Sequence, residues 1–184
     1  GYVAASISYR LGIENFFDLE SSIQEAAFRG IQDAKAAVRY LRKSHAIEGN
    51  IWGIDPERIV LGGSSAGGFI ALHAAYVDDL SEVPSTVNFN ANGLSGGIEG
   101  DSGSPGYSSE LLSIFSISGA IGDVAWISEG DIPVVSTHGT NDGTVPFGTG
   151  YVQLSGINVT VVDGSEIIHS TTDLLGIDNC FHTF

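Results

Sequence analysis

A serine set between two glycines is the most reactive pattern in the sequence. Gly63, Ser65 and Gly67 fit the spacing G-x-S-x-G. The apolar residues 59–61 before it are typical of a buried strand, and the small residues of 66–76 after it are typical of a helix. On such a sharp turn the serine hydroxyl stands clear of the backbone, and both glycines are expected where strand and helix leave little room for a Cβ. The pattern predicts Ser65 as a nucleophile, with a helix-capping serine as the alternative.

A carboxylate that could assist this serine follows the strand-like run at 133–138. Asp142 lies there in a glycine-rich loop, where a carboxylate can orient an imidazole and balance its charge. The alternative is an Asx turn, because residues 141–143 read Asn-Asp-Gly, a strong turn signal. We predict that Asp142 is the acid, and the rivals with weaker motif support are Asp123, Asp131 and Asp163.

A serine hydroxyl becomes a good nucleophile only when a histidine takes its proton, and the chain has five histidines. His169 falls inside a helical pattern, which is expected to hold it away from the serine. His182 lies in a strand-like run and is expected to be buried and hydrogen-bonded. His138 precedes the acid loop and is expected to support it, whereas His45 and His73 lie in helical patterns, on the surface or in packing. The sequence therefore offers no clear general base.

The backbone N–H of the residue directly after a nucleophilic serine often stabilises the negatively charged oxygen that forms during the reaction. Here that group belongs to Ala66, which is predicted to supply one oxyanion-hole donor.

Trp126 and Phe147 follow strand-like runs and are expected near the pocket for the acyl group, with core packing as the alternative for each.

Hydrophobic spacing predicts strands alternating with helices, the order of an α/β domain with a mostly parallel sheet. Helices are expected on both faces, giving a three-layer α/β/α sandwich. In the helix at 23–45 the cations Arg29, Lys35, Arg39 and Arg42 are expected to lie away from the apolar face. The predicted strands are 2–9, 59–62, 114–118, 133–138 and 180–184, and the predicted helices are 23–45, 66–76 and 165–176, the last capped by Ser165 and Gly176.

The chain of 184 residues is expected to form a single domain, 1–184, because no linker divides it. Residues 78–109 are rich in Gly, Ser, Asn and Pro without a sustained period, which predicts a loop or a short lid. The chain has no methionine and opens on a strand-like run, so a piece cut from a larger chain is expected. A mature protein that has lost its first methionine fits equally well.

The composition excludes several classes of function. With 22 acidic and 7 basic residues the net charge is -15, which disfavours binding to nucleic acid or to anionic lipid. Such a charge suits solubility, as in a salty or secreted, extracellular setting, and attraction of a cationic substrate is the alternative. No apolar run reaches the roughly 20 residues of a membrane span. Neither H-x-x-x-H nor C-x-x-C occurs, so no metal or cofactor is expected, and Cys180 is the only cysteine.

Together with the serine motif, four segments resemble the carboxylesterases and lipases of the α/β-hydrolase superfamily, close to hormone-sensitive-lipase-like and feruloyl-esterase-like proteins. They are the Y-R-L strand at 1–12, the helix at 31–42, the approach at 53–59 and the H-G-x-x-D-x-x-V-P loop at 138–146. The resemblance implies a serine carboxylic-ester hydrolase that forms an acyl-enzyme on Ser65 through a Ser-His-Asp triad. Its expected partner is a small-molecule ester.

In that family an H-G-G oxyanion loop precedes the first strand, and the catalytic histidine follows the last one. The resemblance therefore implies a chain truncated at both ends, with its base beyond Phe184, or else His169. Two alternatives stay open, namely a serine peptidase of the same fold and a catalytically inactive binding module. The acyl and alcohol specificity, the oligomeric state and the activity of this segment alone are not predicted.

Overall fold

The computed structural model describes residues 1–15, 17–90 and 93–184. Over these residues the chain forms three α-helices and seven β-strands, with short 3₁₀ turns at Leu80–Glu82 and Val124–Trp126. In chain order the elements are α1 (Leu19–Ile47), β1 (Val60–Ser64), α2 (Ala66–Tyr76), β2 (Ser113–Ile117), β3 (Ala120–Ile121), β4 (Val134–His138), β5 (Thr149–Leu154), β6 (Ile157–Gly164), α3 (Ser165–Leu175) and β7 (Asn179–Thr183).

The main sheet has four strands in the order β1-β2-β4-β7, and all of its pairs are parallel. Ser64 pairs with Ile117, and Ile117 pairs with Thr137, so the carboxyl ends of the first three strands meet at one edge. This arrangement confirms the predicted α/β fold with a mostly parallel sheet. It also brings the loops that follow β1 and β4 to the same edge.

The core lies between the sheet and the helices. Leu72 of α2 and Ile168 of α3 pack with Ile114 and Val134 of the sheet, and all four side chains are buried. Helix α1 packs on α2 through a second cluster that includes Ile31. In the described residues the helices lie on this one face, whereas the opposite face exposes Val60, Phe115, Ile117 and Val135. The predicted three-layer sandwich with helices on both faces is therefore incomplete in the described residues.

Residues 2–9 do not form the predicted buried strand. Tyr2 and Val3 are exposed, and the described residues 1–12 have no regular secondary structure. The segment is instead held by Arg10, whose guanidinium lies 2.8 Å from the carboxylate of Asp33 on α1. The prediction was wrong because an apolar, β-branched run becomes a strand only where a neighbour completes its hydrogen bonds.

Helix α1 confirms the helix predicted at 23–45, but three of its cations are not where the pattern placed them. Arg29, Lys35 and Arg39 are buried. The Nζ of Lys35 lies 2.6 Å from the carboxylate of Glu99, and Nη1 of Arg39 lies 3.0 Å from it. Lys35 and Arg39 are covered because the long loop packs over them, whereas Arg29 donates to the carbonyl of Gly12 at 2.7 Å. A helical period cannot reveal either contact.

The loop at 78–109 holds one 3₁₀ turn among its described residues and is bound to α1 by its backbone. The amide of Gln32 donates to the carbonyls of Ser95 (2.8 Å) and Gly97 (2.6 Å). Arg39 donates to the carbonyl of Ser102 at 2.9 Å. A role for this loop as a lid stays a prediction.

A second, antiparallel sheet in the order β3-β6-β5 was not predicted. Its hairpin β5–β6 turns at Ser155 (φ 51°) and Gly156 (φ 80°), the two positive φ angles of a tight hairpin turn. A Ser-Gly pair between β-branched runs was the available signal. No described helix combines the length and the apolar character that crossing a membrane requires.

Candidate active site

Ser65 occupies a strained turn between β1 and α2. Its φ of 52° and ψ of -118° lie where side-chain-bearing residues are rarely found. The backbone around it is fixed, because the Ser65 N–H donates to the carbonyl of Ile117 at 2.8 Å and the Ser65 carbonyl accepts from Phe69 N–H at 3.0 Å. The hydroxyl makes no capping bond to the helix. The alternative of a capping serine therefore has no support in the geometry.

The turn depends on close approaches between glycines. A Cβ on Gly63 would lie 2.6 Å from a backbone carbon of Gly67. A Cβ on Gly68 would meet Ser116 Oγ at 2.8 Å and Gly119 Cα at 3.0 Å. A Cβ on Gly67 would meet nothing within 4 Å, so the expectation that both motif glycines lack room is wrong for Gly67. The crowding therefore falls on Gly63 of β1 and on Gly68 of α2, and Gly67 between them has room.

Ala66 begins α2 directly after the serine. The first N–H groups of a helix have no partner within the helix, and the helix dipole makes its N-terminus partly positive. The Ala66 N–H is therefore suited to stabilise negative charge on an oxygen held beside Ser65.

Ser65 and Ala66 line a cleft of about 700 Å³. Trp126 also lines this cleft, as predicted, whereas Phe147 does not. The Phe147 ring instead packs between His138 and Phe181, with ring centroids 5.7 and 5.8 Å away. Phe147 thus belongs to the packing behind the loop of Asp142, the alternative that the sequence left open.

Asp142 lies in the loop after β4, two strands away from β1, which at the usual strand spacing is about 10 Å. Its Oδ1 accepts the N–H groups of Thr144 (2.8 Å) and Val145 (3.0 Å), so the Asx turn that the sequence suggested is present. Its Oδ2 lies 3.7 Å from Nε2 of His138. Thr144 and Val145 line the cleft together with Ser65. The turn thus uses Oδ1 and leaves Oδ2 free of these two N–H groups, while Asp142 itself is not among the residues that line the cleft.

His138 supports the loop of Asp142, as predicted. Its ring is fully buried. Nε2 donates to the carbonyl of Val145 at 3.2 Å, so Nδ1 accepts the hydroxyl of Ser165, 2.8 Å away. Ser165 is the first residue of α3 and makes no capping bond, which corrects the prediction that it caps this helix. Gly176 does end α3 in the left-handed conformation, as predicted.

His169 is held far from Ser65. It belongs to α3, and its ring stacks on Phe181 of β7 with centroids 4.4 Å apart. Its Nδ1 donates to Asn179 Oδ1 at 2.7 Å. Strand β7 is three positions from β1, about 14 Å at the usual spacing. Burial lowers the pKa of His169, with an opposing contribution from the bond to Asn179.

The other histidines offer no base within the described residues either. His73 lines the cleft, but Nδ1 donates to the Phe69 carbonyl at 2.8 Å and Nε2 accepts the Gly122 N–H at 3.3 Å. Burial lowers the pKa of His73 to about 4, so this ring stays neutral. The prediction that His182 is buried is wrong, because it is exposed on the outer strand β7.

The rival carboxylates serve local structure. Asp123 lines the cleft, and its Oδ1 accepts the N–H of Ala125 at 2.9 Å. Asp163 accepts the N–H of Val124 at 3.1 Å, and Asp131 accepts that of Ser128 at 2.7 Å. Among the described residues, no group of three or more His, Cys, Asp or Glu side chains is arranged to hold a metal ion.

Comparison with known protein families shows which family the chain belongs to. A family model described as BD-FAE matches residues 1–97, just over half of the chain. The chain belongs to the BD-FAE family. The BD-FAE match includes the Ser65 turn and ends before the loop of Asp142. Comparison with curated proteins gives no match.

Solved structures show that this BD-FAE member has the fold of the esterases. A truncated form of a carbohydrate esterase from gut microbiota is 21% identical, covers 83% of this chain and 58% of its own, and has a TM-score of 0.55. Apo esterase 2 from Thermogutta terrifontis is 21% identical, with 96% and 58% coverage and a TM-score of 0.58. The same esterase phosphorylated by paraoxon is 21% identical, and the match covers 86% of this chain and 52% of the esterase chain with a TM-score of 0.57. The chain spans little more than half the length of these structures.

Proposed function

We propose that the protein is a serine carboxylic-ester hydrolase that works through an acyl-enzyme on Ser65. The observation that carries the proposal is the backbone of Ser65, held at φ 52° and ψ -118° where it lines a cleft. A strained serine costs roughly 1–3 kcal/mol and persists where the surrounding structure enforces it, most often at a functional site. Membership of an esterase-like family and the fold of the esterases agree with this assignment.

In the first step Ser65 Oγ attacks the ester carbonyl carbon and gives its proton to a histidine base. The carbonyl oxygen takes up the negative charge, which the Ala66 N–H stabilises. The tetrahedral intermediate then expels the alcohol, which receives the proton from the histidine. In the second step water attacks the acyl carbonyl carbon and loses a proton to the same histidine. The bond from this carbon to Ser65 Oγ then breaks, and Oγ takes the proton from the histidine as the acid leaves.

Asp142 is proposed as the acid of the triad. Its Oδ1 is occupied by the turn, which leaves Oδ2 to accept a hydrogen bond from the base. None of the described histidines hydrogen-bonds the hydroxyl of Ser65, and His169 lies about three strand spacings from β1. The base is therefore proposed to come from outside this chain segment.

The proposed substrate is a small uncharged ester. The cleft volume of about 700 Å³ suits a small molecule, and the net charge of -15 disfavours polyanions.

A fluorophosphonate probe tests the proposal in the full-length protein. Labelling that is lost in Ser65→Ala and kept in Ser64→Ala identifies Ser65 as the nucleophile. Neighbouring Ser64 is exposed at the end of β1 and makes the matched control. A folded protein that hydrolyses no ester and takes no label would be a binding module. Faster cleavage of peptide amides than of esters would indicate a peptidase.

A further inference from the structure

A buried histidine connects the loop of Asp142 to the start of helix α3. His138 ends strand β4, and both its ring and Ser165, the first residue of α3, are fully buried. The Ser165 hydroxyl donates to Nδ1 of His138 at 2.8 Å, and Nε2 of the same ring donates to the carbonyl of Val145 at 3.2 Å. The ring therefore forms a polar bridge, from Ser165 through His138 to Val145, between two segments that lie on either side of the β5–β6 hairpin.

The bridge ends on the turn that holds the carboxylate of Asp142. The Val145 N–H donates to Oδ1 of Asp142 at 3.0 Å, while the carbonyl of Val145 accepts from His138. Since both groups belong to one residue, a displaced ring would also displace the donor to Oδ1. Oδ2 of Asp142 lies 3.7 Å from Nε2 of His138, so the N–H of the ring faces the charge of the carboxylate and stabilises it.

Packing keeps the ring of His138 between the loop and α3. Phe147 contacts the ring edge to face, with the centroids 5.7 Å apart. The N–H of Glu166 donates to the carbonyl of Phe147 at 3.1 Å, and a Cβ on Gly164 would clash with the carbonyl oxygen of Pro146. The start of α3 and the loop thus meet backbone to backbone, and the ring has one defined place between them.

Burial alone does not explain the bridge. Ser136 precedes His138 by two residues on β4 and is 4% exposed, but among the described residues its hydroxyl has no hydrogen-bond partner. Ser165 by contrast gives its hydroxyl to the ring, although a serine at the start of a helix commonly caps it. The paired hydroxyl therefore occurs where the partner leads to Asp142.

We propose that Ser165 and His138 are positioning residues that hold the Asp142 carboxylate where the base of the triad meets it. The inference rests on the proposed function for the role of Asp142 as the acid, and on the geometry alone for the bridge. A catalytic group that is misplaced by about 1 Å can lower a rate by about 10²-fold. Neither Ser165 nor His138 lines the cleft, so the binding of the ester should be unaffected.

Hydrogen exchange in the full-length protein tests the bridge without any hydrolysis. Ser165→Ala removes the donor to Nδ1, and exchange at the N–H groups of Thr144 and Val145, which hold the carboxylate, should become about tenfold faster or more. The N–H of Phe69, hydrogen-bonded at the start of α2, is the internal reference for global opening. Ser136→Ala is the matched control, because it removes a buried hydroxyl from β4 with no hydrogen bond in the described residues, and it should change exchange less than about twofold.

Kinetics test whether the bridge acts through the acid. Ser165→Ala should lower the esterase kcat about tenfold and change KM less than about twofold. In the Asp142→Asn background the same substitution should change kcat less than about twofold, because no carboxylate is left to position. His138→Gln breaks the bond to Ser165 from the other side and should show the same dependence on Asp142, which provides a second variant if Ser165→Ala does not fold.

Two results would overturn the proposal directly. One is an equal fold-loss of kcat in both backgrounds, which is the behaviour of a purely structural residue, and the other is unchanged exchange at Thr144 and Val145. An unchanged kcat in Ser165→Ala would overturn it as well. If kcat were unchanged in Asp142→Asn too, while exchange at the two N–H groups became faster, the failure would lie in the proposed function and the bridge itself would stand.

Discussion

A Cβ on Gly63 would lie 2.6 Å from the backbone of Gly67, so the strand and the helix around Ser65 touch through their main chains. Two backbones cannot yield as a flexible side chain can, because each is fixed by its own hydrogen bonds. The turn at Ser65 therefore depends on one glycine of its motif, Gly63, for space.

Gly63→Ala is expected to destabilise the fold by about 3 kcal/mol, because the methyl group forces β1 and α2 apart. Gly67→Ala is the matched control, since its Cβ meets open space. That control should be as stable as the wild type or up to about 1 kcal/mol more stable, because alanine favours the helix. Urea denaturation measures both, and equal costs would contradict the argument.

The backbone strain at Ser65 predicts an unusual order of stability. Ser65→Gly should be more stable than Ser65→Ala by about 1 kcal/mol or more, because glycine adopts a positive φ without the cost that a Cβ brings. At Ser64, which has no positive φ, alanine should be more stable than glycine. Thermal or chemical unfolding of the four variants compares them, and the same order at both positions would show that no strain is stored at Ser65.

Replacing each candidate carboxylate by its amide tests whether Asp142 or Asp123 is the acid of the triad. Asp142→Asn keeps an oxygen that can accept the N–H groups of Thr144 and Val145, so the loop should stay folded. The esterase kcat should fall by roughly 10⁴-fold, the loss seen when a triad carboxylate becomes an amide. Asp123→Asn should change kcat only a few-fold, and a larger loss for Asp123→Asn than for Asp142→Asn would assign the acid to Asp123.

The ionic cluster of Glu99 predicts a stability that depends on pH. Burial raises the pKa of Glu99, but bonds to Lys35 and Ser109 and the charges of Lys35 and Arg39 outweigh it and hold the pKa below its usual value. A carboxyl with a lowered folded pKa stabilises the protein above its unfolded pKa of about 4.3, and this contribution is lost as the pH falls through the folded pKa.

Glu99→Gln should therefore cost about 1 kcal/mol at pH 7, because Lys35 and Arg39 lose their counter-charge while solvent screening at the half-exposed carboxylate limits the loss. The difference from the wild type should shrink as the pH falls below about 4. Urea denaturation at several pH values measures it. Glu110→Gln, at an exposed carboxylate directly after the loop of Glu99, should cost little. A pH-independent difference for Glu99→Gln would contradict this account.

The parallel sheet and the Ser65 turn could be predicted because local sequence determines both. Apolar runs and helical periods gave β1, α2, β4 and α3, and the glycine spacing gave the turn. The burial of Arg39 could not be predicted, because it depends on a loop some 60 residues later that folds over the helix. The helical repeat of apolar residues shows which face of a helix packs on the core. It does not show whether a loop covers the opposite face.

The errors share a physical cause, which is dependence on a partner distant in sequence. Residues 2–9 have strand propensity without a strand beside them in the described chain, and Ser165 uses its hydroxyl for His138 in place of a cap. The hairpin of β5 and β6 was missed although Ser155-Gly156 marks its turn. The part of the cleft lined by this hairpin was therefore not predicted either, because the local pattern does not show which strands lie against α1.

The most direct test is to map the covalent adduct on the full-length protein after reaction with a fluorophosphonate. Mass spectrometry of the peptides should place a single adduct on Ser65, absent from Ser65→Ala and from protein unfolded before the reaction. An adduct on another residue, or none on Ser65 in folded protein that hydrolyses esters, would contradict the assignment of Ser65 as the nucleophile.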